Sequence, residues 1–271
     1  MIKAKLDWLT QNVSAIVKEQ FEFRELLLQM TLRDLILRYK QTVLGFGWAV
    51  CTPLLNMIVF SVIFTRVAPL HTDIPYPIYA YTGLLPWNFF ASSLKFSAIS
   101  LTRNANLVTK VYFPREIFPF ASILVGLVDF AIASTVLMAL MMYYRVAVTW
   151  TILFLPVVIL VQMAFTAGVA LLLAMSNLFY RDVQYVSDVG ISIWMFATSV
   201  VYPIEKIHGN LAAVLKLNPM NPIIDAYRAV LLRGELPPAN TFIVVAMISI
   251  VVFAAGSIVF HCAEFRFAER I

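Results

Sequence analysis

Six long apolar runs restrict this chain to one kind of fold. A helix needs about 20 predominantly apolar residues to cross a bilayer. Segments 43–65, 78–101, 117–144, 149–175, 187–203 and 241–262 approach or exceed that length. Lipid offers no partner to a backbone N–H or C=O, so each segment must close its own hydrogen bonds as a helix. No series of alternating ten-residue segments points to a barrel. The reading is an all-α membrane protein of six transmembrane helices. Composition agrees: 61% of residues are hydrophobic and 13% charged, against about 45–50% and 25% in soluble domains. A water-soluble enzyme, a disordered chain and a nucleic-acid binder are excluded.

Lys and Arg set the orientation. Six spans put both termini on one face, with residues 1–42, 102–116, 176–186 and 263–271. That face carries 13 Lys and Arg; the other carries six, Arg66, Arg145, Lys206, Lys216, Arg228 and Arg233. The face with the termini is expected to be cytoplasmic and the membrane to be the inner cell membrane. The domains follow: a cytoplasmic N-terminal segment at 1–42, a six-span transmembrane domain at 43–262 and a tail at 263–271. The first forty residues are charged and mixed, so no signal peptide is expected and the spans direct insertion. Cys51 and Cys262 form neither a disulfide framework nor a metal cluster.

Residues 18–40 read as an amphipathic interface helix with two apolar stripes. Phe23, Leu26, Leu27, Met30 and Leu37 form one; Phe21, Leu28, Leu32, Leu35 and Tyr39 form the other. An anchor resting on lipid needs only one. Two stripes point to a helix held between its own bundle or lipid and a second protein surface, with a plain amphipathic anchor as the alternative.

Segment 204–240 is too long and too apolar for a plain loop. Asn218-Pro-Met-Asn-Pro222 divides it. Asn221 is a good N-cap, Pro222 suits the first helical position, and Arg233-Gly234 suits the end. A short helix is expected at 222–233, forming with 211–217 an external re-entrant hairpin between the fifth and sixth helices. The loop at 102–116 turns Leu107, Val111, Tyr112 and Phe113 to the cytoplasm, which points to a protein contact.

Catalytic chemistry is not evident. There is no phosphate-binding glycine loop and no nucleophile elbow, and His71, His208 and His261 lack metal-ligand spacing. Two charges sit clearly within spans, away from a boundary residue such as Asp188. Lys95 lies near a cytoplasmic end and can snorkel, whereas Asp129 is central and is expected to face the bundle. Tyr81, Trp87, Phe90, Trp194 and Tyr202 crowd the second and fifth spans. A headgroup belt explains those near the ends. The deeper rings can stack on sugar faces and line a substrate channel.

Three stretches together resemble a known family. Arg38-Tyr-Lys-Gln-Thr-Val-Leu-Gly-Phe-Gly-Trp48, followed by Pro53, resembles the start of the first span in permeases of polysaccharide ABC exporters. Asn177-Leu-Phe-Tyr-Arg-Asp182 resembles their loop between the fourth and fifth spans. Asn218-Pro219 through Tyr227-Arg228 resembles their external hairpin. The likeness runs from about residue 20 to 262. It is strongest to O-antigen exporters, with capsule and teichoic-acid exporters as relatives.

The resemblance implies a homodimer, two copies of a separate ATP-binding subunit, and export of an undecaprenyl-linked polysaccharide. ATP and Mg would act on the partner, with no cofactor on this chain and no enzymatic activity of its own. It implies ATPase docking by Arg33, Arg38, Asn106, Leu107, Lys110, Tyr112, Phe113, Phe179 and Arg181. It also implies an outer constriction built from Asn218, Pro219, Asn221, Pro222, Tyr227 and Arg228. A drug or small-lipid exporter and a membrane-embedded enzyme of polysaccharide assembly remain as alternatives. The Arg-Tyr-Lys and Asn-Leu-Phe-Tyr-Arg-Asp motifs favour polysaccharide.

Overall fold

The structure, a computed structural model, describes residues 23–67, 69, 74–110, 113–203, 215, 217–264 and 267, with only the backbone of 109 and 110. It is helical, with no strand among the described residues. The elements in chain order are α1 (Arg24–Tyr39), α2 (Gly47–Val62), α3 (Tyr76–Arg103), α4 (Ala105–Lys110) and α5 (Ile117–Tyr143). They continue as α6 (Leu155–Phe179), α7 (Val183–Phe196), α8 (Met220–Arg228) and α9 (Ala239–Glu264).

Four stretches among the described residues are long and apolar enough to cross a membrane: Gly47–Val67, Ile117–Tyr143, Trp150–Phe179 and Ala239–Glu264. They match the first, third, fourth and sixth runs of the sequence. The second run is α3, whose 28 residues give about 42 Å of helix. Ser93, Ser97 and Ser100 lower its apolarity, and all three are buried inside the bundle. The fifth run behaves differently. Helix α7 has 14 residues, about 21 Å, and the chain then turns at 197–202.

Helix α3 is the central post, packed on α5, α6, α2 and α8. Its Ile78, Leu84, Phe90 and Leu94 are fully buried, each worth about 1.5–3 kcal/mol relative to exposure. Pro86 interrupts its hydrogen-bond ladder, since proline has no N–H to donate. Helices α6 and α9 cross at two glycines. A Cβ on Gly168 would lie 2.5 Å from the Val252 carbonyl oxygen, and one on Gly256 would lie 2.5 Å from that of Gly168. Close approach through small residues is the usual means of joining helices in lipid, where apolar burial gives little preference.

A second core lies where α3 ends. Leu101, Phe113, Phe118, Leu171, Phe260 and Phe267 form it, and Phe23, Leu26, Leu27 and Met30 of α1 pack against it. From the other stripe Leu28 and Leu32 are 56% and 51% exposed, whereas Leu35 is half-buried; Leu37 of the first stripe is 47% exposed. Phe21 lies outside the described residues.

Candidate functional site

Two polar assemblies stand at opposite ends of α3. At its C-terminal end, Arg33 of α1 donates to Asn104 at 2.8 Å and pairs with Asp34 at the same distance. Asn104 in turn donates to the Ser100 carbonyl at 2.8 Å. The short helix α4 follows directly, so α1, the end of α3 and α4 are joined by one side chain. After α4, Arg115 pairs with Glu264 of α9 at 3.3 Å, and its backbone N–H donates to the same carboxylate at 3.1 Å.

Most of the residues expected to meet an ATPase lie at this end. Asn106 and Arg181 are exposed, and Leu107 is half-buried. Phe179 is half-buried and rests edge-on against Phe267, 6.0 Å between centroids. Phe113 corrects the sequence expectation. It is 7% exposed and packs edge-on against Phe118 at 5.5 Å, so it anchors the loop instead of projecting from it. The physical reason is the apolar cluster of Leu101, Ile117 and Phe118, which takes the ring out of water. Tyr112 and the Lys110 side chain lie outside the described residues.

Arg38 turns inward. Its guanidinium pairs with Asp129 of α5 and lies 3.8 Å from the centroid of the Phe96 ring. Tyr39 donates its phenol hydrogen to the other Asp129 oxygen at 2.5 Å. Burial and this hydrogen bond push the Tyr39 phenol above its ordinary value, so it stays a donor. The carboxylate in the middle of the third apolar run is therefore neutralised by the interface helix. The Arg38-Tyr39 dipeptide was legible; its target was not, because helix-to-helix pairing has no local signature.

At the other end of α3, Asn218 collects four hydrogen bonds. Its oxygen accepts from the Trp194 indole and the Met220 backbone, both at 3.0 Å; its nitrogen donates to the Ala197 carbonyl at 2.9 Å and to Thr198 at 2.8 Å. Asn221 accepts from the Ser199 backbone at 2.8 Å and donates to the Leu215 carbonyl. The expected cap therefore shifts. The helix begins at Met220, with Pro219 at its N-cap and Pro222 in its first turn, and Asn221 bonds across to other segments. Its far end widens into a π turn over Ala229–Arg233 and stops at Gly234 with φ 68°. The first arm of the expected hairpin lies largely outside the described residues.

Helix α8 is tied down along its length. Tyr227 donates to Gln162 of α6 at 2.7 Å, and Gln162 donates to the Pro86 carbonyl at 2.7 Å. Gln162 and Tyr227 are buried. Arg228 is also buried, donates to the Val200 carbonyl at 2.7 Å and stacks 3.8 Å over Tyr79. Gly83 makes room there, since a Cβ would strike Val200 and Arg228. Gln162 escaped the sequence reading, although it is the one amide in the apolar run 155–175.

Three of the five candidate channel aromatics are buried within this chain, and Trp194 and Tyr202 are half-buried. Tyr81, Trp87 and Phe90 are 0–2% exposed. Phe90 stacks on Phe165 at 5.7 Å and meets Trp194 edge-on at 5.1 Å; Tyr81 donates to the Ala133 carbonyl at 2.9 Å. Tyr202 is half-buried and donates to the Phe196 carbonyl.

Comparison with known proteins decides the family. The model of the ABC-2 type transporter matches residues 25–232. The chain belongs to the ABC-2 type transporter family. This ABC-2 transporter chain is 34% identical over 259 residues to the O-antigen export system permease protein RfbA of Myxococcus xanthus, covering 94% of the chain and 99% of that protein. It is 29% identical over 248 residues to the Klebsiella pneumoniae protein of that name, covering 90% and 94%. It is 20% identical over 268 residues to the polysialic acid transport protein KpsM of Escherichia coli, covering 92% and 98%. The ABC-2 assignment makes the apolar helices those of a multi-pass membrane protein.

Proposed function

We propose that this chain is the transmembrane subunit of an ATP-driven exporter that carries an O-antigen-type, lipid-linked polysaccharide from the cytoplasmic to the outer face of the inner membrane. The observation that carries this reading is end-to-end similarity to O-antigen export permeases, spanning 94% of the chain. The finer features go with it: six spans, both termini cytoplasmic, a homodimer and two separate ATP-binding subunits. The external re-entrant hairpin goes with it too, with 217–240 as its described part.

The geometry supports a division of labour. A force applied at α1 and α4 meets a bonded end, Arg33 to Asn104 and Arg115 to Glu264. It reaches α8 through α3 and α6, which share the Pro86–Gln162–Tyr227 chain. Asn106, Leu107 and Arg181 give the contact surface, and Phe113 and Arg38 hold it in place.

Deleting the gene and following the polymer tests this reading. Loss of surface polysaccharide with lipid-linked polymer accumulating inside, reversed by the intact gene, is the expected outcome. Unchanged surface polysaccharide, or loss without internal accumulation, contradicts it.

A further inference from the structure

Arg228, the last residue of α8, is a cation buried without a carboxylate. It is 2% exposed, and no ion pair reaches it among the described residues. Its partners are the Val200 carbonyl and the face of the Tyr79 ring, and its Nε–H is buried with no acceptor. Two other inward-turned arginines are treated differently. Arg38 has Asp129 and Arg115 has Glu264, although both arginines are more exposed. Asp225 lies three positions before Arg228, within reach along a helix surface. Yet it pairs with Arg233 at 3.8 Å, and their side chains are 45% and 38% exposed.

Taking a guanidinium out of water costs more than one neutral carbonyl and one ring return. The burial is nevertheless built in. A Cβ on Gly83 would lie 2.3 Å from the Val200 carbonyl oxygen and 2.6 Å from Arg228 Nη2, so only glycine leaves the seat open. The two ends of α8 also differ. Its start is fixed by neutral amides, Asn218 and Asn221, which bond to the turn at 197–202. Its end carries the uncompensated charge and runs straight into the π turn Ala229–Arg233, a form frequent at functional sites. Such a seat is held by packing and weakened by its own charge. A helix that only braces the fold is served better by an apolar side chain of similar size.

We infer that Arg228 is a positioning residue whose uncompensated charge keeps the C-terminal end of α8 ready to lift from the turn at 197–202. Lifting pivots on Asn218 and Asn221, returns the guanidinium to water and brings it to Asp225. The bond from Tyr227 to Gln162 holds the seat, and Arg228 limits its depth. The inference rests on α8 belonging to the external hairpin, since only a helix beside water can release a charge into it.

The full chain in phosphatidylcholine nanodiscs, with Cys51→Ala, Cys262→Ala and Val201→Cys, reports the seat. Val201 is 1% exposed and follows the residue whose carbonyl Arg228 holds, so maleimide reaches it only through opening. Arg228→Gln keeps an N–H donor and removes the charge. It should slow labelling about tenfold and raise the thermal midpoint, while surface polysaccharide in cells falls. Arg228→Lys keeps the charge and should label at least as fast as the parent.

Arg228→Gln that labels at the parental rate or faster overturns the assignment, as does a lowered midpoint or failure to accumulate in the membrane. The arginine would then brace the turn through its hydrogen bond and ring contact. Equal slowing by Arg228→Lys also overturns it, because side-chain shape and not charge would be responsible. So does slowed labelling with unchanged surface polysaccharide, which separates the seat from export. The labelling uses no ATP and no transport. Its failure beside normal export by the parent removes the role of Arg228 alone, and unchanged surface polysaccharide in the deletion strain removes the export reading.

Discussion

Arg33 donates to Asn104 at 2.8 Å, joining α1 to the turn where α3 passes into α4. The two lie 71 positions apart in sequence, so the contact locks separate segments into one surface. Asn104→Ala should leave partner binding intact and lower permease-stimulated ATP hydrolysis. In a double-mutant cycle with Arg33→Ala, coupling of about 1 kcal/mol in the unfolding free energy is expected for a charged, half-exposed bond. Strict additivity would remove the bond from the account.

Leu107 tests the docking surface itself. It is half-buried beside the exposed Asn106 on α4. Leu107→Asp places a charge in a contact where an apolar anchor contributes about 1.5–3 kcal/mol. Loss of copurification with the ATP-binding chain at unchanged membrane insertion is expected. Undiminished copurification and hydrolysis would move docking to Leu28, Leu32 and Ile36 of α1.

Asp129 concerns stability. Its side chain is 18% exposed and that of Arg38 15%. Removing one member leaves the other buried without its counter-charge, which costs up to 3–5 kcal/mol in a dry interior. For this partly exposed pair about 2 kcal/mol is expected from Asp129→Ala, read as a lowered thermal midpoint in detergent. Replacing both, Arg38→Met with Asp129→Leu, should recover part of the loss. A midpoint unchanged in Asp129→Ala would show the pair to be idle.

Gly168 concerns the crossing of α6 and α9. A methyl group there meets the Val252 carbonyl at 2.5 Å. Gly168→Ala should cost about 1–3 kcal/mol through overpacking. Gly256→Ala should cost a similar amount, and the pair should fall short of the sum, since both act on one crossing. Full additivity would mean that the helices separate independently at the two glycines.

The sequence carried the helices and their stripes because periodicity is a local property. The double stripe of α1 predicted a helix with two neighbours; Leu27 packs on the bundle, and Leu32 is left exposed. The glycine stop at Gly234 was legible because φ 68° there is a backbone requirement. Phe113 was misplaced because an aromatic in a loop reads as exposed until its packing against Phe118 is seen. Asn221 was misplaced because capping rules treat an amide as serving its own helix, whereas this one bonds to Ser199 and Leu215. The links from Arg38 to Asp129 and from Tyr227 to Gln162 join residues 91 and 65 positions apart, beyond the reach of any local rule.

Tyr227→Phe isolates the outer assembly. It leaves the Gln162 oxygen buried without its donor, at a cost of about 1–3 kcal/mol. Export should fall severalfold while ATPase binding is retained. Equal export by Tyr227→Phe would detach α8 from the transport cycle.

Reconstitution measures the central claim most directly. The chain and its ATP-binding partner, placed together in proteoliposomes, receive an undecaprenyl-diphosphate-linked polysaccharide on the face bearing the ATPase. With ATP and Mg the account predicts that the polymer becomes accessible to a glycosidase on the opposite face. It predicts no such transfer without ATP or without this chain. Hydrolysis that proceeds at full rate with the polymer remaining on its original side would contradict the account.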